Sequence, residues 1–191
     1  IDRSSDLDAV AIKIAHGKLL NAGQTCIAPD YVLLPQGREA DFERAFTAAV
    51  ARLFPGGAAA HSDFASIVSD RHHARLKALV EEARTLGARV VEVSPAGEAG
   101  HARQMTPVLV FRPPAEARLM REEIFGPVLP VLSYSALDQA MATINASPRP
   151  LALYWFGQDS AARERVLRGT VSGGVTVNDT LMHIAHENLP F

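Results

Sequence analysis

The residue best equipped for covalent chemistry is Cys26, the only cysteine among 191 residues. It lies in Asn21-Ala22-Gly23-Gln24-Thr25-Cys26-Ile27-Ala28-Pro29, with small, permissive residues before it and a proline stop after it. One thiol closes no intramolecular disulfide and by itself completes no cysteine-based zinc site. Cys26 is then either an inert buried thiol, the common condition of free cysteine, or a nucleophile. Attack requires the thiolate, which at an ordinary pKa of about 8.5 is only a few per cent of the population at neutral pH. A nucleophile therefore gains from exposure and from backbone N–H donors. A Gly-Gln-Thr-Cys turn between a helix and a strand offers both. Gly23 lets the backbone approach a ligand closely, and the main-chain N–H of Cys26 can face a developing oxyanion, as acyl transfer requires. On these residues alone both readings stay open.

The elements that must position this turn are readable from periodicity. Leu7, Val10, Ala11 and Ile14 follow helical spacing, with Ser5 or Asp6 as the N-cap and Asn21 and Gly23 as the stop. Cys26 then falls in the turn before a strand at Tyr31-Val32-Leu33-Leu34. Phe42, Phe46, Ala49, Val50 and Leu53 form one face of a second helix, broken by Phe54-Pro55-Gly56-Gly57. Leu76, Leu79, Val80, Ala83 and Leu86 mark a third, capped by Ser69 or Asp70 and closed by Gly87. Strands follow at Arg89–Val93, Val108–Phe111 and Val128–Leu132, with a surface loop from Ser94 to Gln104. Pro130 marks the last of these strands as an edge or a bulge. Ser135 caps a helix carrying Leu137, Ala140, Met141 and Ile144. Leu151–Phe156 has the length and continuity of a buried strand, Ser160–Leu167 is helical, and Val171–Val177 is a Gly-interrupted strand. Alternating helices and continuous apolar strands predict an α/β fold: an open, three-layer sheet with helices on both faces.

The composition is 48% hydrophobic and 21% charged, with a formal net charge of −2. That balance gives no electrostatic footprint for nucleic acid or an anionic membrane surface. No apolar run approaches the roughly 20 residues that span a bilayer. A single cysteine and a polar opening, Ile1-Asp2-Arg3-Ser4-Ser5-Asp6, point to a reducing, cytoplasmic setting. The chain begins without methionine and stops at Leu189-Pro190-Phe191. Residues 1–191 are therefore expected to be one domain of a longer polypeptide.

Three separated blocks resemble the aldehyde dehydrogenase superfamily. Asn21-Ala22-Gly23-Gln24-Thr25-Cys26-Ile27-Ala28-Pro29-Asp30-Tyr31 is similar to its active-site cysteine segment. Arg121-Glu122-Glu123-Ile124-Phe125-Gly126-Pro127-Val128 resembles its Glu-Glu-Ile-Phe-Gly-Pro segment. Ser172-Gly173-Gly174-Val175-Thr176-Val177-Asn178-Asp179 resembles its late Gly-rich strand ending in Asn. The blocks stand in family order and span almost the whole chain. The Ala-Pro-Asp-Tyr and Val-Asn-Asp continuations are most like the class 3 and coniferyl-aldehyde dehydrogenase branch.

The resemblance implies a thiol-dependent oxidation of an aldehyde, hydrophobic or aromatic, to its acid. Cys26 adds to the carbonyl to give a thiohemiacetal, hydride passes to NAD or NADP, and water hydrolyses the resulting thioester. By position, Glu123 would bind the nicotinamide ribose hydroxyls, Phe125 would pack against the nicotinamide end, and Asn178 would be an amide supporting the pocket from behind. The resemblance also implies that the general-base glutamate, the oxyanion asparagine and the Rossmann-type cofactor domain lie upstream. Residues 1–191 would then be the cysteine-bearing catalytic domain, inactive alone but open to alkylation at Cys26, in a full-length homodimer or homotetramer.

Each role has a plainer rival. Glu123 reads equally as an exposed charge at an element end, Phe125 as a core aromatic before a turn, and Asn178-Asp179 as a turn pair closing a strand. His183-Ile184-Ala185-His186-Glu187 has neither zinc-peptidase order, so no metal is expected there and its histidines read as pocket-lining or surface residues. His72-His73 reads as a solvated turn. At the level of function, the rivals are a CoA-acylating relative and a non-catalytic assembly scaffold.

Overall fold

The computed structural model describes residues 1–93, 102–186 and 188. The loop expected from Ser94 lies outside them as far as residue 101, as do Glu187 and the closing Leu189-Pro190-Phe191. Helix α1 (Leu7–Leu19) forms because Leu7, Val10, Ala11, Ile14, Ala15 and Lys18 share one stripe, and all are buried. Its N-cap is Asp6, whose carboxylate accepts from the amides of Asp8 and Ala9. Ser5 instead donates inward to the Phe156 carbonyl at 2.8 Å. Helix α2 (Glu39–Leu53) buries Phe42, Ala45, Phe46, Ala49 and Val50 and packs along α1. Helix α3 (Asp70–Thr85) is capped by the Ser69 hydroxyl, and the chain leaves it through Gly87 at φ 93°.

Strands β1 (Val32–Pro35), β2 (Arg89–Glu92), β3 (Val108–Phe111) and β4 (Val128–Tyr134) form a mixed sheet in the order β1-β4-β3-β2. β4 runs parallel to both neighbours, and β2 closes one edge antiparallel to β3. Side chains alternate between faces, so a strand buried at every position is covered on both. β3 is buried throughout, and so are the first four residues of β4. This is the layered α/β architecture that the apolar runs predict.

Pro130 does not mark an edge. It sits inside β4 opposite Val110, with pairs continuing at Leu129–Leu109 and Val131–Phe111. The proline withholds one donor from the ladder, and burial of the strand on both faces outweighs that loss. Ser135 does not cap the next helix either. Helix α4 (Leu137–Asn145) starts after Ala136, and Gln139 reaches back to accept from the Ser135 amide and hydroxyl at 2.8 and 3.0 Å.

The remaining strands stand apart. β5 (Ala152–Trp155) and β6 (Gly174–Val177), connected through helix α5 (Ser160–Gly169), pair in parallel as a separate two-stranded sheet. The run Leu151–Phe156 reads as a fully covered strand, yet Leu151 is 48% exposed, and Val175 and Val177 are 38% and 40% exposed. Two strands alone leave a face that nothing among the described residues covers. Segment 178–180 returns to α1, where Lys13 pairs with Asp179 at 2.6 Å and the Thr180 hydroxyl donates to the Lys13 carbonyl at 3.1 Å. No helix among the described residues is long and apolar enough to cross a membrane.

Gly17 makes the contact between α1 and segment 178–180 possible. A Cβ there would lie 2.3 Å from Thr180 Oγ1 and 2.7 Å from its Cβ. Gly17→Ala gains about 1 kcal/mol of helix propensity but overpacks a buried contact, at a cost of about 1–3 kcal/mol. We expect a net loss, read as a lower urea midpoint than wild type; a raised midpoint would show that Thr180 yields freely.

Candidate active site

The turn that carries Cys26 is built from left-handed backbone. After α1, Asn21 and Ala22 sit at φ 52° and 53°, and Gly23 follows at φ 75°. Three such residues in succession end the helix and reverse the chain. Ala22 and Gly23 are buried, whereas Cys26 is exposed. The inert-core reading of the thiol therefore fails on position. Gln24 stiffens the turn from within: its amide nitrogen donates to the carbonyls of Asn21 and Ser66 at 3.0 and 3.1 Å, and its amide oxygen accepts from the Val68 amide at 2.8 Å.

The second sequence block packs directly against this turn. A Cβ on Gly23 would stand 2.3 Å from the Gly126 carbonyl oxygen and 3.0 Å from that of Lys18. No side chain fits between the two backbones. Asp30, four residues beyond Cys26, accepts from the Ile124 amide at 3.3 Å. Lys18 is only 1% exposed, and Asp30 is the charged group that acts on it. Burial pushes the Lys18 ammonium down to about 8 despite the opposing pull of Asp30. Burial also raises the Asp30 carboxyl, while Lys18 and the Ile124 amide oppose that shift.

Glu123 and Phe125 are presented by their backbone. Arg75 of α3 donates to the carbonyls of Glu123 and Ile124 at 3.1 and 2.5 Å and pairs with Glu122 at 3.2 Å. His72 is not a solvated turn residue, because its Nε2 lies 2.7 Å from the Phe125 carbonyl and its ring meets the Phe125 ring edge-on at 6.2 Å. Arg75 Nε donates to His72 Nδ1 at 3.4 Å, so the Nε2-protonated tautomer satisfies both contacts. Phe125 itself is left-handed, at φ 52°. The Glu123 side chain is exposed, and its carboxylate has no hydrogen bond or ion pair with the described residues. A free carboxylate beside a half-buried aromatic ring suits a ribose diol and a flat heteroaromatic ring. An open hollow of about 420 Å³, lined by Ser69, Arg71, His72 and Arg75, lies on the α3 side of the segment.

Asn178 lies at the end of β6. Its amide oxygen accepts from the Gly157 N–H at 2.9 Å, and its amide nitrogen donates to the Gly157 carbonyl at 3.2 Å. Both ends of the amide are engaged by the chain leaving β5, so Asn178 braces that turn and keeps one amide N–H unused among the described residues. His183 is buried, with Nδ1 3.0 Å from the Thr176 hydroxyl, which also accepts from the His183 amide at 3.2 Å. Among the described residues no group of His, Cys, Asp and Glu side chains is arranged to hold a metal ion.

Sequence reasoning passed over Lys18, Asp30, Arg75 and Tyr154. Lys18 carried a signal, since it continues the buried stripe of α1 four residues after Ile14. Arg75 and Tyr154 act on distant backbone carbonyls, which no local pattern reveals.

With this geometry in place, kinship is plain. Residues 1–191 match the aldehyde dehydrogenase family, and the chain belongs to that family. It is 48% identical over 194 residues to the probable coniferyl aldehyde dehydrogenase of Caulobacter vibrioides, covering all of this chain and 40% of that protein. The substrate-bound structure of Staphylococcus aureus AldH superposes on it with a TM-score of 0.89 at 34% identity, again over all of this chain and 40% of the other. The NAD-dependent aldehyde dehydrogenase of Sinorhizobium meliloti gives a TM-score of 0.79 at 26% identity, over 94% of this chain and 36% of that one. The chain thus spans about two-fifths of the length of the relatives it matches.

The buried lysine has a pH signature. Its folded pKa, about 8, lies below the ordinary lysine value of 10.5, so between these values the unfolded chain binds more protons and stability rises with pH. We expect wild type to gain on the order of 2 kcal/mol relative to Lys18→Met between about pH 8 and pH 10, measured by urea unfolding of both proteins across that range. A constant difference would show that Lys18 is solvated.

Proposed function

We propose that the protein carrying this chain oxidises an aldehyde to its carboxylic acid, with Cys26 as nucleophile and NAD or NADP as oxidant. The observation that supports this best is a lone, exposed thiol on a turn pressed against a segment that offers an unengaged carboxylate and an aromatic ring. The Cys26 thiolate adds to the carbonyl carbon, and the resulting oxyanion faces the backbone N–H of Cys26. The nicotinamide, when bound, supplies the acceptor for the hydride on that carbon. Cys26 then carries the acyl group as a thioester; water adds to its carbonyl, and the thiolate leaves as the acid forms. Glu123 accepts hydrogen bonds from the ribose hydroxyls, Phe125 packs against the nicotinamide end, and Asn178 braces the turn behind the site.

The substrate is a hydrophobic or aromatic aldehyde, a reading supported by the coniferyl aldehyde dehydrogenase name of the Caulobacter vibrioides relative. Residues 1–191 form the cysteine-bearing domain. The base that activates water and the rest of the cofactor site belong to other parts of a homodimeric or homotetrameric protein.

In the full-length protein, Cys26→Ala should lower the rate of aldehyde oxidation by about a thousandfold or more without changing the oligomeric state seen by light scattering. Retained oxidation would eliminate Cys26 as nucleophile, and altered assembly alone would favour a scaffold. Dependence of the wild-type rate on added CoA would replace water by a thiol as acyl acceptor. Glu123→Gln should raise the KM for the dinucleotide about tenfold, as expected for weakened hydrogen bonds to a charged acceptor, and leave the KM for aldehyde within about twofold.

A further inference from the structure

We propose that Tyr154 is a positioning residue for Cys26, its phenol hydroxyl fastening the carbonyl just beyond the thiol to the β5–β6 unit. The proposal rests on the reading of Cys26 as nucleophile. Tyr154 lies on β5, in register with Thr176 of β6. Its hydroxyl donates to the Ile27 carbonyl at 2.6 Å, across 127 residues of sequence. Leu181, in the turn that follows β6, is itself held left-handed at φ 65°. One hydrogen bond therefore joins the turn that carries the thiol to β5.

The ring is fixed as well as the hydroxyl. Its centroid lies 5.9 Å from that of His183. His183 is locked by Thr176 and packs so closely on β6 that a Cβ at Gly174 would fall 2.0 Å from its ring. Tyr154 thus has little freedom to follow a drifting cysteine turn. Burial pushes the phenol up to about 12, and negative charge at Cys26 acts in the same direction. The hydroxyl stays protonated and donating when the neighbouring thiol ionises. With the hydroxyl committed to Ile27, Tyr154 orients the nucleophile and does not exchange protons with substrate.

Tyr154→Phe in the full-length protein keeps the ring and removes the fastening. Tyr134→Phe is the matched control, because the Tyr134 hydroxyl also donates to a distant carbonyl, that of Ile1, at 2.7 Å. We expect Tyr154→Phe to lower kcat about tenfold, the equivalent of one well-placed hydrogen bond. KM for aldehyde and the rate of Cys26 alkylation by iodoacetamide should stay within about twofold, since neither needs the thiol held in one orientation. Tyr134→Phe should leave kcat unchanged even if it lowers Tm as much. A wild-type kcat in Tyr154→Phe, or an equal fall in Tyr134→Phe, would overturn the proposal. Full activity in Cys26→Ala, assayed alongside, would instead remove the reading on which it rests.

Discussion

The contact on which the site depends is the meeting of two backbones at Gly23 and Gly126. A Cβ at Gly23 would be 2.3 Å from the Gly126 carbonyl oxygen, in a conformation, φ 75°, that L side chains rarely adopt. Either constraint alone favours glycine; together they demand it. Gly126 is constrained in turn, because its Cβ would stand 2.5 Å from a Leu76 methyl of α3. The cysteine turn therefore rests on the Glu-Glu-Ile-Phe-Gly-Pro segment, and that segment rests on α3. His72 and Arg75 issue from the same helix to hold the Phe125, Glu123 and Ile124 carbonyls. The distance from thiol to the free carboxylate and ring is thus set by main chain and one helix.

Strain gathers at the same places. Seven non-glycine residues among those described have positive φ, and Asn21, Ala22 and Phe125 belong to the cysteine turn or to the 124–126 segment it meets. Left-handed backbone costs about 1–2 kcal/mol at an ordinary residue, and it persists where surrounding structure over-determines it. Here the over-determination is visible. The Asn21 side chain donates to the Gln24 carbonyl at 3.1 Å, Gln24 bonds 66–68, and the Ala22 side chain is fully buried. Lys18, buried, and Asp30, partly buried, belong to the same scheme. Desolvation disfavours both charges, and a pair of this kind is weak evidence for stability. Its value lies in register: Asp30 has the Ile124 amide to satisfy, and no apolar replacement offers that bond.

What the sequence made legible follows from the range of the forces involved. Helices α1, α2 and α3 announce themselves because burial of one stripe is a local, periodic demand, and the Ser69 cap is a local bond. Strands β3 and β4 are legible as apolar runs, but their neighbours are not, so Pro130 reads as an edge or a bulge although β4 is paired on both sides. The split of β5 and β6 into their own sheet was hidden for the same reason. At the site, the position of Cys26 on a turn between a helix and a strand was readable from small residues and a proline. Its fastening to Ser66, Val68, Ile124 and Tyr154 was not, because each contact joins residues more than forty apart.

The fastenings approach the cysteine turn from different elements. Gln24 ties it to 66–68, Gly23 and Asp30 tie it to 124–126, and Tyr154 ties it to β5. Each uses a backbone carbonyl or amide at one end, so the turn is held without consuming the thiol. The Cys26 side chain has no hydrogen bond with the described residues and remains exposed. Fixing the main chain removes orientational freedom from the turn, while the thiol itself stays open to solvent. The same logic holds at Glu123, where Arg75 takes the carbonyl and leaves the carboxylate free. Backbone held and side chain open is the shared rule at both positions, and it separates them from Asn178, whose amide is itself committed at both ends.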